Sequence, residues 1–188
     1  FGGFFKSFHD PIEMVIVPST DTLITFENAT SARNFGLELD FRKNLGFFAS
    51  PLEDLYIAGN TALIKSRIEL PEGGNQTTND RPLQGQSPFV VNAQLGYDNA
   101  DTGTTLALLY NVQGRRISKV GALGAPDIYE EPFHQLDFVA SQTLPAGFKL
   151  GFKAKNLIDA EALFTQGGEK AEWYRKGRSF SLSLSWSY

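Results

Sequence analysis

The chain has 188 residues, a formal net charge of −4 and no cysteine. This length suits one domain of ordinary size, and the lack of cysteine excludes a disulfide framework. No run of about eighteen apolar residues is present, which excludes a transmembrane helix. A membrane-spanning strand places only every other residue against lipid, so a mildly hydrophilic chain is still compatible with a transmembrane β-barrel.

Period-two alternation predicts strands through the first third of the chain. Residues 1–16 are predicted to form a strand that Pro11 bulges or ends, and 17–23 a loop. A strand is predicted over 25–42, followed by a turn over 43–53. Its outward apolar side chains are Phe35, Leu37, Leu39 and Phe41. The side chains predicted to face inward with them are Asn34, Gly36, Glu38, Asp40 and Arg42.

The next predicted strands alternate in the same way. The first has the outward row Leu55, Ile57, Gly59, Thr61 and Leu63. A polar segment over 71–87 is rich in Gly, Asn, Thr and Pro and reads as a loop. The following strand has the outward row Phe89, Val91, Ala93, Leu95 and Tyr97 and the inward residues Asn92, Gln94, Gly96 and Asp98.

The second half of the chain continues the pattern. After a tight turn over 99–103, the next outward row is Leu106, Leu108, Tyr110 and Val112. A loop is predicted over 117–131. A strand carrying Leu136, Phe138 and Ala140 then leads through a turn at 145–147 to one carrying Phe148, Leu150, Phe152 and Ala154. Another loop is predicted over 157–176.

The last stretch, GRSFSLSLSWSY, has the clearest alternation. Phe180, Leu182, Leu184 and Trp186 fall on one face of the predicted strand, and serines fall on the other. About ten residues with a lipid-facing apolar row, a small polar row and boundary aromatics are typical of a transmembrane β-strand.

Connection lengths and aromatic positions add to this interpretation. Short turns at one edge and long connections at the other are the asymmetry of outer-membrane barrels. Aromatic residues are predicted near both edges, as two girdles would require: Tyr97, Phe148, Trp186 and Tyr188 by the short turns, Phe89 and Phe133 by the long connections. We therefore predict an all-β fold, an antiparallel transmembrane β-barrel of about eight strands. A soluble lipocalin-like barrel with the apolar row inside has the same periodicity and stays an alternative.

Five segments resemble a known family when taken in order. They are FKSFHDPIE (5–13), FENATSARNFGLELDFRKNL (26–45), GNTALIKSRI (59–68), RPLQGQSPFVVNAQLGYDN (81–99) and KLGFKAKNLIDA (149–160), followed by the aromatic terminus. Together they resemble the C-terminal part of the β-barrel of TonB-dependent outer-membrane receptors, over essentially the whole of 1–188. Each segment alone matches the family only loosely, whereas the ordered set of segments is fairly specific for it.

The resemblance implies a 22-stranded barrel closed around a plug, of which this chain would supply about the last eight strands. It implies a location in the bacterial outer membrane, with lipid around the barrel. The implied function is active import of a scarce nutrient of the metal-chelate, cobalamin or glycan class. An inner-membrane energy-coupling complex would act through the N-terminal part of the receptor.

Nothing in the sequence matches the family's plug or energy-coupling box. We therefore expect the plug and the remaining barrel strands to belong to the rest of the parent chain. The alternative is a self-contained eight-stranded outer-membrane barrel with a structural or adhesive role.

Catalytic and metal-binding patterns are not found. His9 and His134 are far apart in sequence, and no zinc spacing, nucleophile elbow or phosphate loop occurs. We expect no enzyme activity, no catalytic residue, no cofactor and no nucleic-acid partner.

The predicted inward cations form the one candidate ligand site. They are Arg115, Lys149, Lys153 and Lys155. They suggest a basic lumen patch for an anionic small molecule. Alternatively, they pair with Glu38, Asp40, Asp137 or carboxylates of the plug.

Overall fold

The computed structural model describes residues 1–17, 23–71 and 75–187 and is all-β in these ranges. The strands are β1 (Gly2–His9), β2 (Ile12–Val17), β3 (Leu23–Asn28), β4 (Ser31–Asn44), β5 (Leu55–Glu69), β6 (Phe89–Asn99), β7 (Thr104–Gln113), β8 (Arg116–Gly121), β9 (Ile128–Glu130), β10 (Phe133–Thr143), β11 (Phe148–Lys155), β12 (Glu161–Gln166), β13 (Glu169–Arg175) and β14 (Ser179–Trp186). No helix in the described ranges has the length and apolar character needed to cross a membrane.

Eight long strands form the main sheet, in the order β1-β4-β5-β6-β7-β10-β11-β14. Every neighbouring pair is antiparallel, which confirms the predicted all-β, antiparallel class. Strands β1 and β14 lie at opposite ends of this order, and no ladder joins them among the described residues. The main sheet is therefore open.

The remaining six strands form a second sheet, in the order β13-β12-β9-β8-β2-β3. Its hairpins β2/β3, β8/β9 and β12/β13 continue main-sheet strands beyond a bend. The first bend is at Asp10, whose φ of 49° lies in the left-handed region, directly before Pro11. The prediction that Pro11 interrupts the first strand is confirmed.

Two predicted loops are wrong. The segments 117–131 and 157–176 contain most of β8 and the whole of β9, β12 and β13. These strands have only three to seven residues, so each is too short to show a clear period of two. The predicted strand over 25–42 is also divided, into β3 and β4. The described part of 71–87 holds no strand, whereas residues 18–22 of the predicted loop 17–23 lie outside the described residues.

A fully buried apolar cluster lies at the second sheet. Val15, Ile117, Val120 and Ala122 are each 0% exposed and pack together. Strands β2 and β8 meet here in parallel, with Val15 opposite Val120. The side chain of Gln84 joins the two strands, donating to the carbonyls of Met14 (2.9 Å) and Ser118 (2.7 Å).

A buried ion pair fastens the polar segment 75–87 to β2. Arg81 donates from Nη1 to Oε1 of Glu13 (2.8 Å) and from Nη2 to Oε2 (2.6 Å). Their side chains are 2% and 0% exposed. Arg81 also donates to the side-chain oxygen of Gln76, and the backbone N–H of Gln84 donates to Glu13 at 3.2 Å. Segment 75–87 is therefore held against β2 by buried hydrogen bonds.

The register of the main sheet places the apolar side chains of its strands on one side of the sheet. We call this side the apolar face. Residues directly opposite each other share a face, so the row can be followed from strand to strand. One such path runs through Phe41, Gly59, Ala93, Tyr110, Leu136, and a parallel one through Ile57, Leu95, Leu108, Phe138, Ala154, Phe180. Leu37, Leu63 and Leu182 are 54%, 60% and 73% exposed, and no second layer formed by the described residues covers them.

Charged residues enter the apolar face only toward strand ends. Lys65, Arg67 and Glu69 lie beyond Leu63, the last residue of β5 that pairs with β6. Phe133, predicted in an aromatic girdle, instead lies on the opposite face, because it pairs with Gln113. Phe148 and Trp186 stack on the apolar face beside a short turn, with ring centroids 6.3 Å apart. Tyr188 lies outside the described residues.

Candidate functional site on the polar face

The other side of the main sheet, the polar face, holds a depression of about 440 Å³. Its lining comes from five neighbouring strands, β4, β5, β6, β7 and β10. A depression floored by five adjacent strands indicates a sheet that curves with the polar face inside. The polar face is therefore concave, and the apolar face is convex.

A row of amides crosses the floor of the depression. Asp40, Asn60, Asn92, Asn111 and Gln135 stand directly opposite one another on successive strands. Nδ2 of Asn111 donates to Oδ1 of Asn92 (2.6 Å), and Nδ2 of Asn92 donates to Oδ1 of Asn60 (2.7 Å). We call Asn60, Asn92 and Asn111 the amide row. At the far end, Gln135 donates to both carboxylate oxygens of Asp137.

Arg42 and Gln94, which line the depression, both contact the buried Tyr56. The Arg42 guanidinium lies over the Tyr56 ring, 3.8 Å from its centroid. The Tyr56 hydroxyl accepts a hydrogen bond from Gln94 (2.8 Å). Gly96 pairs directly with Tyr56, and a Cβ at Gly96 would overlap the ring. Glycine at 96 therefore lets the ring lie flat on the sheet beneath the arginine.

Gly96→Ala is expected to lower the free energy of unfolding by about 1–3 kcal/mol, because the new methyl group displaces a ring that is already packed. Gly3→Ala is the matched control, since a Cβ there meets only ordinary contacts of 3.7 Å. Urea unfolding of both variants and the parent measures the effect. Equal stability of the two variants would contradict the proposed close approach.

The structure brings together three of the four predicted basic residues. Lys149, Lys153 and Lys155 share the polar face of β11, opposite Ser185, Ser181 and Ser179 of β14. All three are exposed, and none forms an ion pair within the described ranges.

Arg115 lies apart from these lysines. It follows Gly114, where the chain leaves β7, and it donates to Glu131 at 2.9 Å. Its guanidinium lies over the Tyr129 ring, 3.8 Å from the centroid. Asp137, one of the predicted partners, accepts from Gln135 and from the backbone N–H of Asn156 (2.8 Å) instead of a lysine.

Metal chemistry finds no support in the described part of the chain. There, no group of three or more His, Asp or Glu side chains is placed to hold a metal ion. His134 shares a 2.7 Å hydrogen bond with the Tyr110 hydroxyl near the end of the apolar face.

The amide row was not predicted as a site. Its members are scattered through three strands, and only the register shows that they adjoin. The sequence signal that was present is the placement of Asn or Gln at inward positions of successive strands.

Comparisons with family models and with curated proteins found no relative of this chain. No protein-family model matches the chain, and no curated protein matches it either.

Proposed function

We propose that this chain is an arc of the wall of an outer-membrane β-barrel, and that the barrel is an active importer of the TonB-dependent type. The observation that carries the proposal is the uncovered apolar face, continuous in register across the main sheet. Apolar patches of this extent on a protein surface mark contact with a membrane or a partner. The apolar face ends in stacked aromatic rings beside a short turn, and a face of this kind is better suited to lipid than to water.

The curvature separates this proposal from a soluble lipocalin-like barrel. A soluble barrel places its apolar row on the concave side, where side chains fill the interior. In this chain the concave side carries Asn60, Asn92 and Asn111, and the convex side carries the exposed leucines. This arrangement supports a water-filled lumen with lipid outside.

The open edges favour an arc over a complete eight-stranded barrel. Unpaired edge strands promote self-association unless they are covered or paired. Pairing of β1 and β14 with further strands of the parent chain would remove both edges. We base the import role on the sequence resemblance, together with the plug and the energy-coupling partner. The transported nutrient would pass along the polar face.

Cysteine labelling tests the orientation. Three short connections, at 45–54, 100–103 and 144–147, share one edge of the main sheet, and the long connections and second sheet lie at the other. We expect Leu123→Cys and Lys170→Cys to react with an impermeant maleimide on intact cells. Ala100→Cys and Ala49→Cys should react only after the outer membrane is opened. All four positions are exposed, so accessibility within the protein is matched.

The reverse labelling order would contradict the orientation. Equal labelling of all four positions in intact and opened cells would contradict membrane insertion itself.

A further inference from the structure

We propose that the depression on the polar face binds an uncharged, hydroxyl-rich small molecule of the saccharide class. The inference deepens the proposed function and rests on it in one respect, that the polar face borders a water-filled lumen. It concerns the residues that would hold the ligand and the kind of ligand they select.

The amide row offers donors and acceptors side by side. A side-chain amide has two N–H donors and an oxygen with two lone pairs. The two hydrogen bonds within the row run in the same direction, from Asn111 to Asn92 and from Asn92 to Asn60. Each of the three amides therefore keeps at least one free N–H and one free lone pair. A hydroxyl group, which donates and accepts at once, matches such a surface.

The ends of the row extend this match. Asp40 stands beside Asn60 and has no ion-pair partner within the described ranges. Asp137 stands at the other end, where Gln135 holds it. Ionised carboxylates only accept hydrogen bonds, and bonds to charged acceptors are the stronger ones. Two carboxylates that flank neutral amides suit ligand hydroxyls, which can donate to both.

Charge disfavours anionic ligands at this place. Among the residues that the structure describes, Arg42 is the one cation that lines the depression, and its guanidinium is stacked on Tyr56. An anionic chelate would meet two carboxylates and a single arginine. The exposed lysines are on β11, which contributes no residue to the lining.

Size and access agree with a small polar ligand. The volume of about 440 Å³ falls within the range of about 300–1,000 Å³ for small-molecule sites. Asn60 is exposed, and Asn92, Asn111 and Gln135 are half-buried, so the amides are open to solvent. Eight of the fourteen residues that line the depression have a charged or amide side chain, whereas sites for apolar ligands are lined mainly by hydrophobic side chains.

The test is binding to a saccharide array by outer-membrane fractions from cells that express the complete natural protein. The array carries mono- to tetrasaccharides, and fractions from cells without the protein set the background. We expect at least one saccharide to bind, and Asn92→Ala to weaken that binding about tenfold through lost hydrogen bonds. Ser181→Ala is the matched control, because Ser181 is on the same polar face but outside the depression.

Correct folding of each variant is verified by the maleimide pattern at Ala100→Cys and Leu123→Cys. Asn111→Ala, at one end of the row, provides a second variant if Asn92→Ala fails this check. Binding of no saccharide, or binding that neither variant weakens, would overturn the inference. If saccharide binding fails while the labelling order holds, the ligand assignment falls and the barrel proposal stands. If saccharide binding holds while the labelling order fails, the ligand assignment stands and the barrel proposal falls.

Discussion

Arg81→Ala is expected to lower the free energy of unfolding by about 3–5 kcal/mol, because the buried Glu13 carboxylate then has no ion-pair partner. Both side chains are almost fully buried, and Glu13 accepts two hydrogen bonds from Arg81. The same change removes the hydrogen bond to Gln76 and leaves the hydrogen bonds of Gln84 with Glu13 and Met14 to hold segment 75–87 against β2. Urea unfolding followed by Trp173 fluorescence reports on it, since Trp173 lies on β13 in the second sheet.

Arg67→Ala is the control for this prediction. Arg67 pairs with Asp80 at 3.7 Å, and the two side chains are 79% and 87% exposed. An exposed pair contributes about 0–1 kcal/mol, so little change is expected. Equal losses for the two arginine variants would contradict the view that the Glu13–Arg81 pair anchors the segment. A combined Glu13→Leu and Arg81→Leu variant should recover part of the loss, because no unpaired charge then remains.

The main sheet could be predicted because its strands are long and divide lipid-compatible from polar side chains. In β14, Phe180, Leu182 and Leu184 alternate with serines, and the structure pairs this strand with β11 in the register that keeps the alternation. Eight to fifteen residues per strand give enough repeats of the period to be read directly.

The second sheet could not be predicted because its pairing is non-local and its strands are short. Val15 and Val120 are opposite each other although they are far apart in sequence. β9 has three residues and shows no periodicity. The chain leaves the main sheet at Asp10 and after Gln113, so face assignments made by counting residues fail beyond these points. Arg115 is separated from the lysines for this reason.

The candidate site could be predicted only in part. Counting alternate residues correctly placed Asn92, Gln94 and Asp98 on one face of one strand, which is the polar face. It could not show that Asn60, Asn92 and Asn111 form one hydrogen-bonded row, because strand register depends on the turns and pairings of the whole sheet. The stacking of Arg42 on Tyr56 likewise depends on Gly96 from the neighbouring strand.

Leu184→Arg is expected to reduce the free energy of unfolding in lipid by about 2–4 kcal/mol, the cost of arginine on the lipid face near the bilayer midplane. Leu184 lies on the apolar face opposite Leu150 and is 65% exposed. If water bathed this face, the same substitution would change stability by no more than about 0.5 kcal/mol. The size of the loss therefore distinguishes lipid from water as the medium around the apolar face.

Ser183→Arg supplies the matched control, because the same side chain is introduced one residue away on the polar face. Ser183 is opposite Gly151, where the lack of a side chain leaves room for the new arginine to extend over the polar face into water. We expect a change of less than about 1 kcal/mol, since surface substitutions in water have small effects. Urea unfolding in phospholipid vesicles, followed by the heat-modifiable mobility of the folded band, measures both variants. Similar values for the two, or a larger loss for Ser183→Arg, would contradict insertion with the apolar face against lipid.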